Sequence, residues 1–383
     1  MFEIGKPVFA NFEPLNPRRT MGRNERCWCR SGRKWKQCHA VREYASSLPP
    51  SAFKPTFYQL AAQTELCYHP TAPIGCSKGI IRAHTIQKRT GLNLIAERGH
   101  VLSARDGQDD NKAFNLQLVG VNKASTFRGF CSKHDTDIFK MAENRSNVDK
   151  ISAFLLSYRA LCYESYMKKV AVKTIRNFRD NMDRGKLFEA QVKIQQELSY
   201  FAHTTHLGEF EHDRLKLIWD AELPNCGGPN FKWFAITFDG SIPLVASGSF
   251  FPEHDFGGNR LQPLSSPIGH LALMSFNILP FEGNTAAVFG WLDSKPQNSR
   301  FIESLRGIPS SHLASSVVQF AFDTSDNLFV SPKWWKSLAP APQQFLLEVL
   351  RSSTPGEKRS DALVPRSPPL LNLPVASIDF EIA

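Results

Sequence analysis

The sequence has no apolar run approaching the roughly 18 to 20 residues that cross a bilayer, and it does not open on a basic stretch followed by an apolar core. A cytoplasmic protein with no membrane partner is therefore expected. No G-x-x-x-x-G-K-[ST] loop occurs anywhere, which excludes a P-loop motor, and the C-terminal half carries no cofactor fingerprint. Cysteine is scarce: there are 8 in 383 residues. A disulfide framework belongs to short secreted chains and is not expected here. Six of the cysteines fall beside histidines in two clusters, leaving Cys162 in a helical pattern and Cys226 in a Cys-Gly-Gly turn. That distribution suits thiolates held by metal in a reducing compartment.

A chain of 43.1 kDa is too long for one ordinary core, so two or three domains are expected. With 42% hydrophobic and 21% charged residues it reads as globular. The formal charge of +10 favours an anionic partner, most simply nucleic acid.

The first cluster lies in Gly22-Arg-Asn-Glu-Arg-Cys-Trp-Cys-Arg-Ser-Gly-Arg-Lys-Trp-Lys-Gln-Cys-His39. Cys27, Cys29, Cys38 and His39, in Cys-x-Cys-x8-Cys-His spacing, can close a tetrahedral zinc site on a segment far too short to fold by packing alone. Ser31-Gly32 supplies the turn, and Trp35 can pack over the sulfurs. The stretch resembles the SEC-C motif through its leading Gly-Arg-Asn, the Cys-x-Cys, the Ser-Gly, the basic-aromatic-Lys run and the terminal Cys-His. Arg30 stands where that motif usually has glycine. The resemblance implies an interaction module that contacts a partner protein or the ribosome, or an accessory on an enzyme. Arg and Lys interleaved with Trp28 and Trp35 offer a second use, tracking phosphates and stacking a base.

The second cluster runs from Cys67 to Asp135. Cys67 and Cys76 form a Cys-x8-Cys pair, with His69 an alternative ligand to Cys67, and Cys131 and His134 form a Cys-x2-His pair. Between them lie the apolar strand Ile80-Ile-Arg-Ala-His84 and a second strand beginning at Gly99-His-Val-Leu102. A helical pattern follows at 134–142, with Asp135 in its first turn. This layout resembles the HNH family of ββα-metal endonucleases. The resemblance implies structural zinc on Cys67, Cys76, Cys131 and His134, and His84 as general base. It also implies Asn122 as a loop brace, Asp135 as ligand to a catalytic Mg²⁺ or Mn²⁺, and a place in bacterial defence against foreign DNA. Ala83 departs from the usual metal-ligating residue, and the first pair is spaced x8 rather than x2. The plainer readings are a structural or core histidine at 84 and a helix-cap carboxylate at 135.

From 147 to about 223 the apolar spacing is helical, with a basic run at Lys168 to Lys186. From Pro229 the period shifts to strands at 231–238, 242–249, 270–278, 286–291 and 317–322, bounded by turn signals. The loop at 250–259 gathers Glu253, His254 and Asp255 and reads as a polar turn. The expected fold class is α+β: zinc-stapled modules at the N-terminus, a central helical region and a mainly antiparallel C-terminal domain. The expected segments are 1–45, 46–146, 147–225, 226–352 and a Pro/Ser-rich tail at 353–383, with an edge strand within 370–380. Two functions are open: an HNH-like endonuclease, or a non-catalytic zinc adaptor for a protein or ribosomal partner.

Overall fold

A computed structural model of the chain describes residues 12–103, 115–143, 148–264, 269–281, 283–292, 295–352 and 359–382. The polar loop expected through Asp106 to Asn111 lies outside these residues. In chain order the elements begin with α1 (Phe53–Gln63), β1 (Ile80–His84), α2 (Asn93–Ile95), β2 (His100–Ser103), β3 (Gln117–Gly120), β4 (Thr126–Cys131) and α3 (Ser132–Glu143). Two long helices follow, α4 (Lys150–Asn181) and α5 (Phe188–Glu222). The remainder is β5 (Lys232–Phe238), β6 (Leu244–Phe250), β7 (Met274–Phe281), β8 (Asn284–Trp291), α6 (Pro296–Arg306), α7 (Ser310–Thr324), β9 (Leu328–Val330), α8 (Pro332–Ser337), α9 (Pro340–Arg351) and β10 (Val375–Glu381). The α+β class expected from the sequence holds.

The chain divides into two units, one of residues 1–64 with 165–214, the other of 65–164 with 215–383. In the first unit the C-terminal part of α4 and most of α5 form an antiparallel hairpin. Lys169 Nζ meets Asp213 at 2.5 Å near one end, and Gln195 donates to the Arg179 carbonyl at 2.5 Å near the other. Leu15, Trp28 and the cysteines of the first cluster form a small core, against which Trp35, Phe188 and Val192 pack.

The second unit is organised on an eight-stranded sheet of order β10-β5-β8-β7-β6-β9-β2-β3. All of its pairings are antiparallel. On one face the ring of Phe320 from α7 meets those of Phe250, Phe276 and Phe289 at 4.9–5.4 Å. Every residue of α7 from Leu313 to Asp323 is buried. That explains one correction: Val317 to Phe322 reads as a strand by composition but is helical, because a stretch buried throughout and apolar but for Gln319 shows no 3.6-residue period. On the other face β7 and β8 offer small side chains. A Cβ at Gly290 would fall 2.4 Å from Ser157 Oγ and 2.7 Å from the Phe231 ring, so the close approach there requires glycine.

Two features cross the segment limits expected from the sequence. Strands β2 and β3 come from within 46–146, yet Leu102 of β2 pairs with Val330 of β9. The sheet therefore continues past residue 146. At the opposite edge β10, from the 353–383 tail, pairs with β5, as the edge strand expected within 370–380. A separate two-stranded sheet of β1 and β4 leads directly into α3.

Candidate metal centres

Turn geometry gathers the first donor set. Cys27 N–H donates to the Arg33 carbonyl and Arg30 N–H to the Cys27 carbonyl, which folds the Cys-x-Cys into a tight knuckle. Arg30 takes φ = 57° and Gly32 φ = 76°, so the residue standing at the glycine position keeps the left-handed turn at a steric cost. Its guanidinium donates to the Glu13 and Pro14 carbonyls at 2.9 and 3.3 Å, tying the N-terminal arm to the knuckle. Short 3-10 turns at Trp35–Gln37 and His39–Tyr44 then present Cys38 and His39.

All four donor atoms lie within 4.8 Å of one another, and all four residues are buried. Cys27 Sγ stands 3.1 Å from His39 Nδ1, Cys38 Sγ 3.4 Å from the same nitrogen, and Cys29 Sγ 3.6 Å from Cys38 Sγ. Bonds of about 2.3 Å to sulfur and 2.1 Å to nitrogen place the corners of a zinc tetrahedron about 3.5–3.8 Å apart, so the set fits that ion. Three thiols this close do not ionise alike. Hydrogen bonding from Cys27 and Cys29 holds Cys38 far below the usual thiol range, while the same contacts and burial push Cys27 far above it.

The far nitrogen of His39 completes the arrangement. Nε2 sits 2.8 Å from Asp183 Oδ2, leaving Nδ1 to face the sulfurs. Burial opposes protonation of His39, but Asp183 and the thiolates of Cys29 and Cys38 outweigh it and raise the imidazole to about 10, so the site attracts positive charge. Asp183, wholly buried, also takes Arg42 Nη1 at 3.0 Å and Gln195 Nε2 at 2.9 Å. A carboxylate behind a metal-binding histidine fixes its ring and increases its basicity. Asp183, Arg42 and Gln195 were not singled out from the sequence. The one available hint was an acid in the middle of a basic run.

The second donor set is built differently. β4 ends at Cys131 and α3 starts at Ser132, so Cys131 and His134 share the first helical turn. Cys67 and Cys76 come from a loop of successive turns, Ala72 N–H to His69 O, Ile74 N–H to Thr71 O and Cys76 N–H to Pro73 O. The segment before it runs beside β4, with Leu66 and Tyr68 N–H donating to the Arg128 and Gly129 carbonyls. His134 Nδ1 lies 3.3 Å from Cys67 Sγ and 3.5 Å from Cys76 Sγ, and the four donors again lie within 4.8 Å. Cys131 and His134 are buried, whereas Cys67 and Cys76 are only partly so. Burial opposes ionisation of Cys131, but the His134 backbone N–H and Ser77 bring it down to about 7. Desolvation and the neighbouring Cys67 push Cys76 up to about 11. His69, the alternative ligand, stacks on His134 with ring centroids 3.8 Å apart, and its Nδ1 meets Thr71 Oγ1 at 2.9 Å.

Among the described residues these are the two groups of three or more His, Cys, Asp or Glu side chains close enough to share an ion, and His84 and Asp135 belong to neither. His84 ends β1 opposite Thr126, half-buried, with Nε2 3.4 Å from the Val121 carbonyl. Burial, reinforced by the charges of Lys88 and Arg159, holds its imidazole below the usual value, which favours the neutral form. Asn122 is exposed, in the turn between β3 and β4. Asp135 sits in the first turn of α3, 3.8 Å from Arg159, which is itself buried and lies over the Phe139 ring at 3.9 Å. Arg159 is thus the charge common to His84 and Asp135.

The remaining candidates make local contacts of their own. His100 Nδ1 donates to the Arg98 carbonyl at 2.9 Å. Asp255 accepts from the Gly257 and Asn259 N–H groups at 2.8 Å, which makes 250–259 a capped turn. Cys162 is wholly buried in α4 and pushed up to about 12 by burial, an inert thiol. Of the basic residues, Arg33 pairs with Asp180, Arg42 with Asp183 and Lys169 with Asp213, while Arg179 donates to the Cys29 carbonyl. Trp28 is buried against the rings of His39 and Phe188.

The α+β fold and two Cys/His donor sets, the first buried and the second partly so, define a zinc-binding protein. The family model of the SEC-C motif matches residues 23–40, the knuckle that carries the first set. No curated protein and no solved structure matches the chain. No helix among the described residues is long and apolar enough to cross a membrane.

Proposed function

We propose that the protein is a zinc-scaffolded nucleic-acid hydrolase of HNH-like design, acting on phosphodiester bonds, with the SEC-C module recruiting it to a partner. The observation that carries this reading is His84, a histidine whose neutral form is favoured, at the end of β1 in the two-stranded β1–β4 sheet that leads into α3 beside a Cys3His donor set. A neutral imidazole in that position can take the proton of an attacking water. Arg159, between His84 and Asp135, supplies positive charge for a scissile phosphate. Asp135 offers one carboxylate with Arg159 already 3.8 Å away, so the donor set does not fit a Mg²⁺ or Mn²⁺ ion as it stands. Membership of a bacterial antiviral system is consistent with this chemistry and rests on the company such modules keep.

The test is cleavage of linear duplex DNA, single-stranded DNA and RNA, with and without Mg²⁺ or Mn²⁺, beside His84→Ala. Activity should be lost in the variant, by about a hundredfold or more as for a general base, with zinc content unchanged. In the parent protein activity should hold through the pH range in which an ordinary histidine protonates and fall only below it, because burial and the charges of Lys88 and Arg159 lower the His84 imidazole. Equal cleavage by the variant would remove His84 from the chemistry.

A second reading, a non-catalytic adaptor, is favoured by two observations. Trp28 is buried and cannot stack a base, and the paired arginines near the first donor set are spent on carboxylates. A stoichiometric protein partner, with no salt-dependent affinity for DNA or RNA, would establish it.

A further inference from the structure

Within the second unit, a cavity of about 290 Å³ opens between the π-turn at Lys88–Leu92, α4 and strands β6 and β7. Its walls are of two kinds. Leu156, Leu279 and Phe281 give an apolar floor, while Thr85, Arg159 and Asn277 bring polar groups to the same space. Each of those three is at least nine-tenths buried, at 3%, 3% and 2% exposure. Thr85 Oγ1 and Asn277 Nδ2 have no hydrogen-bond partner among the described residues. Buried polar atoms left without partners each cost about 1–3 kcal/mol, and proteins tolerate them mainly where a ligand, ion or water completes them. Arg89 and Thr90 stand exposed on the rim, and so does Leu94, 64% exposed and apolar.

We propose that this cavity is a binding site for a small organic anion: an apolar, preferably aromatic, body on Leu279 and Phe281, with a carboxylate or phosphate head on Arg159 and Arg89. Size agrees, since drug-sized ligands occupy pockets from about 300 Å³ upward. The charge of the pocket agrees as well. Among the described residues its lining holds two cations, Arg89 and Arg159, and no acidic side chain, and a desolvated guanidinium suits a planar anion head. Asn277 Nδ2 supplies a neutral donor and Thr85 Oγ1 a hydroxyl that can donate or accept. The site shares Arg159 with the hydrolase reading but does not rest on it, because binding is measured without nucleic acid or divalent ion.

The experiment is calorimetric titration of the full, zinc-loaded chain with benzoate, phenyl phosphate and 5′-AMP, beside benzyl alcohol and inorganic phosphate. Aromatic anions should bind at least about tenfold more tightly than either control, the factor expected of one charge-assisted hydrogen bond. Benzoate against phenyl phosphate separates the two head groups. Arg89→Ala, at an exposed position, should weaken binding about fivefold or more without altering the melting temperature. Asn277→Leu should weaken it too, while leaving the melting temperature equal or higher, since an unpartnered amide is replaced by a similar apolar volume. Binding of benzyl alcohol as tightly as the anions, affinities unchanged in both variants, or no binding by any anion of the panel would each overturn the proposal.

Discussion

The two donor sets are alike in chemistry, three thiols and an imidazole that faces them through Nδ1, and unlike in everything around them. The first is buried on all sides, and its histidine is backed by a carboxylate that two further buried side chains hold. The second exposes Cys67 and Cys76 in part, and its histidine is backed by the stacked ring of His69. The first occupies a knuckle whose core consists largely of the ligands themselves with Leu15 and Trp28. The second sits beside a sheet whose aromatic core does not include it. A metal at the first set therefore supplies folding energy for its surroundings, whereas one at the second orders a loop on a scaffold that already has its own core.

The sharpest way to break this comparison is Cys29→Ser. Loss of a ligand from a structural zinc site forfeits a binding energy on the order of 10 kcal/mol, so residues 12–64 should lose hydrogen-exchange protection while the eight-stranded sheet keeps it. Protection retained throughout would show that the knuckle folds without metal. Asp183→Ala should come next. It leaves Arg42 buried without its carboxylate, at about 3–5 kcal/mol, and should weaken zinc at the first set about 10- to 100-fold. A competition titration that finds zinc affinity unchanged would reduce Asp183 to a packing residue.

Cys76→Ser should have a smaller effect on stability. One zinc per chain should be lost, and trypsin should cut within 67–79 faster, while the sheet melts close to the parent temperature. Melting of the sheet in step with the loop would place the second set among the determinants of the core. The smallest effect belongs to Arg30→Gly, which exchanges a strained φ for a lost tie to Glu13 and Pro14. Thermal stability should move by less than about 1 kcal/mol in either direction, with proteolysis of the N-terminal arm accelerated. An unchanged cleavage rate would mean that Arg30 does not hold the arm.

The same contrast explains what could be read from the sequence. Cys27, Cys29, Cys38 and His39 lie within 13 consecutive residues, so their spacing alone announced a donor set, and the turn residues between them carried the geometry. Cys67, Cys76, Cys131 and His134 span far more chain, but each pair keeps a short spacing and the two pairs were legible as knuckles. Asp183 lies 144 residues from His39, and nothing local marks it as the group behind that ring. The pairing of β2 with β9 is equally long-range, set by the need to cover Val101 and Leu102 rather than by any turn signal. Residues 317–322 of α7 carry a strand-like pattern because complete burial erases the period that distinguishes helix from strand. His84, Asn122 and Asp135 were found through resemblance, and their positions relative to Arg159 came only with the fold.

Zinc release from the full chain, followed with a chromogenic chelator beside Cys29→Ser and Cys76→Ser, tests the contrast between the sites most directly. The expected result is two zinc ions per chain released in two phases, the fast phase absent from Cys76→Ser and the slow phase absent from Cys29→Ser. A single ion per chain, one uniform phase, or a fast phase that disappears with Cys29→Ser would contradict it.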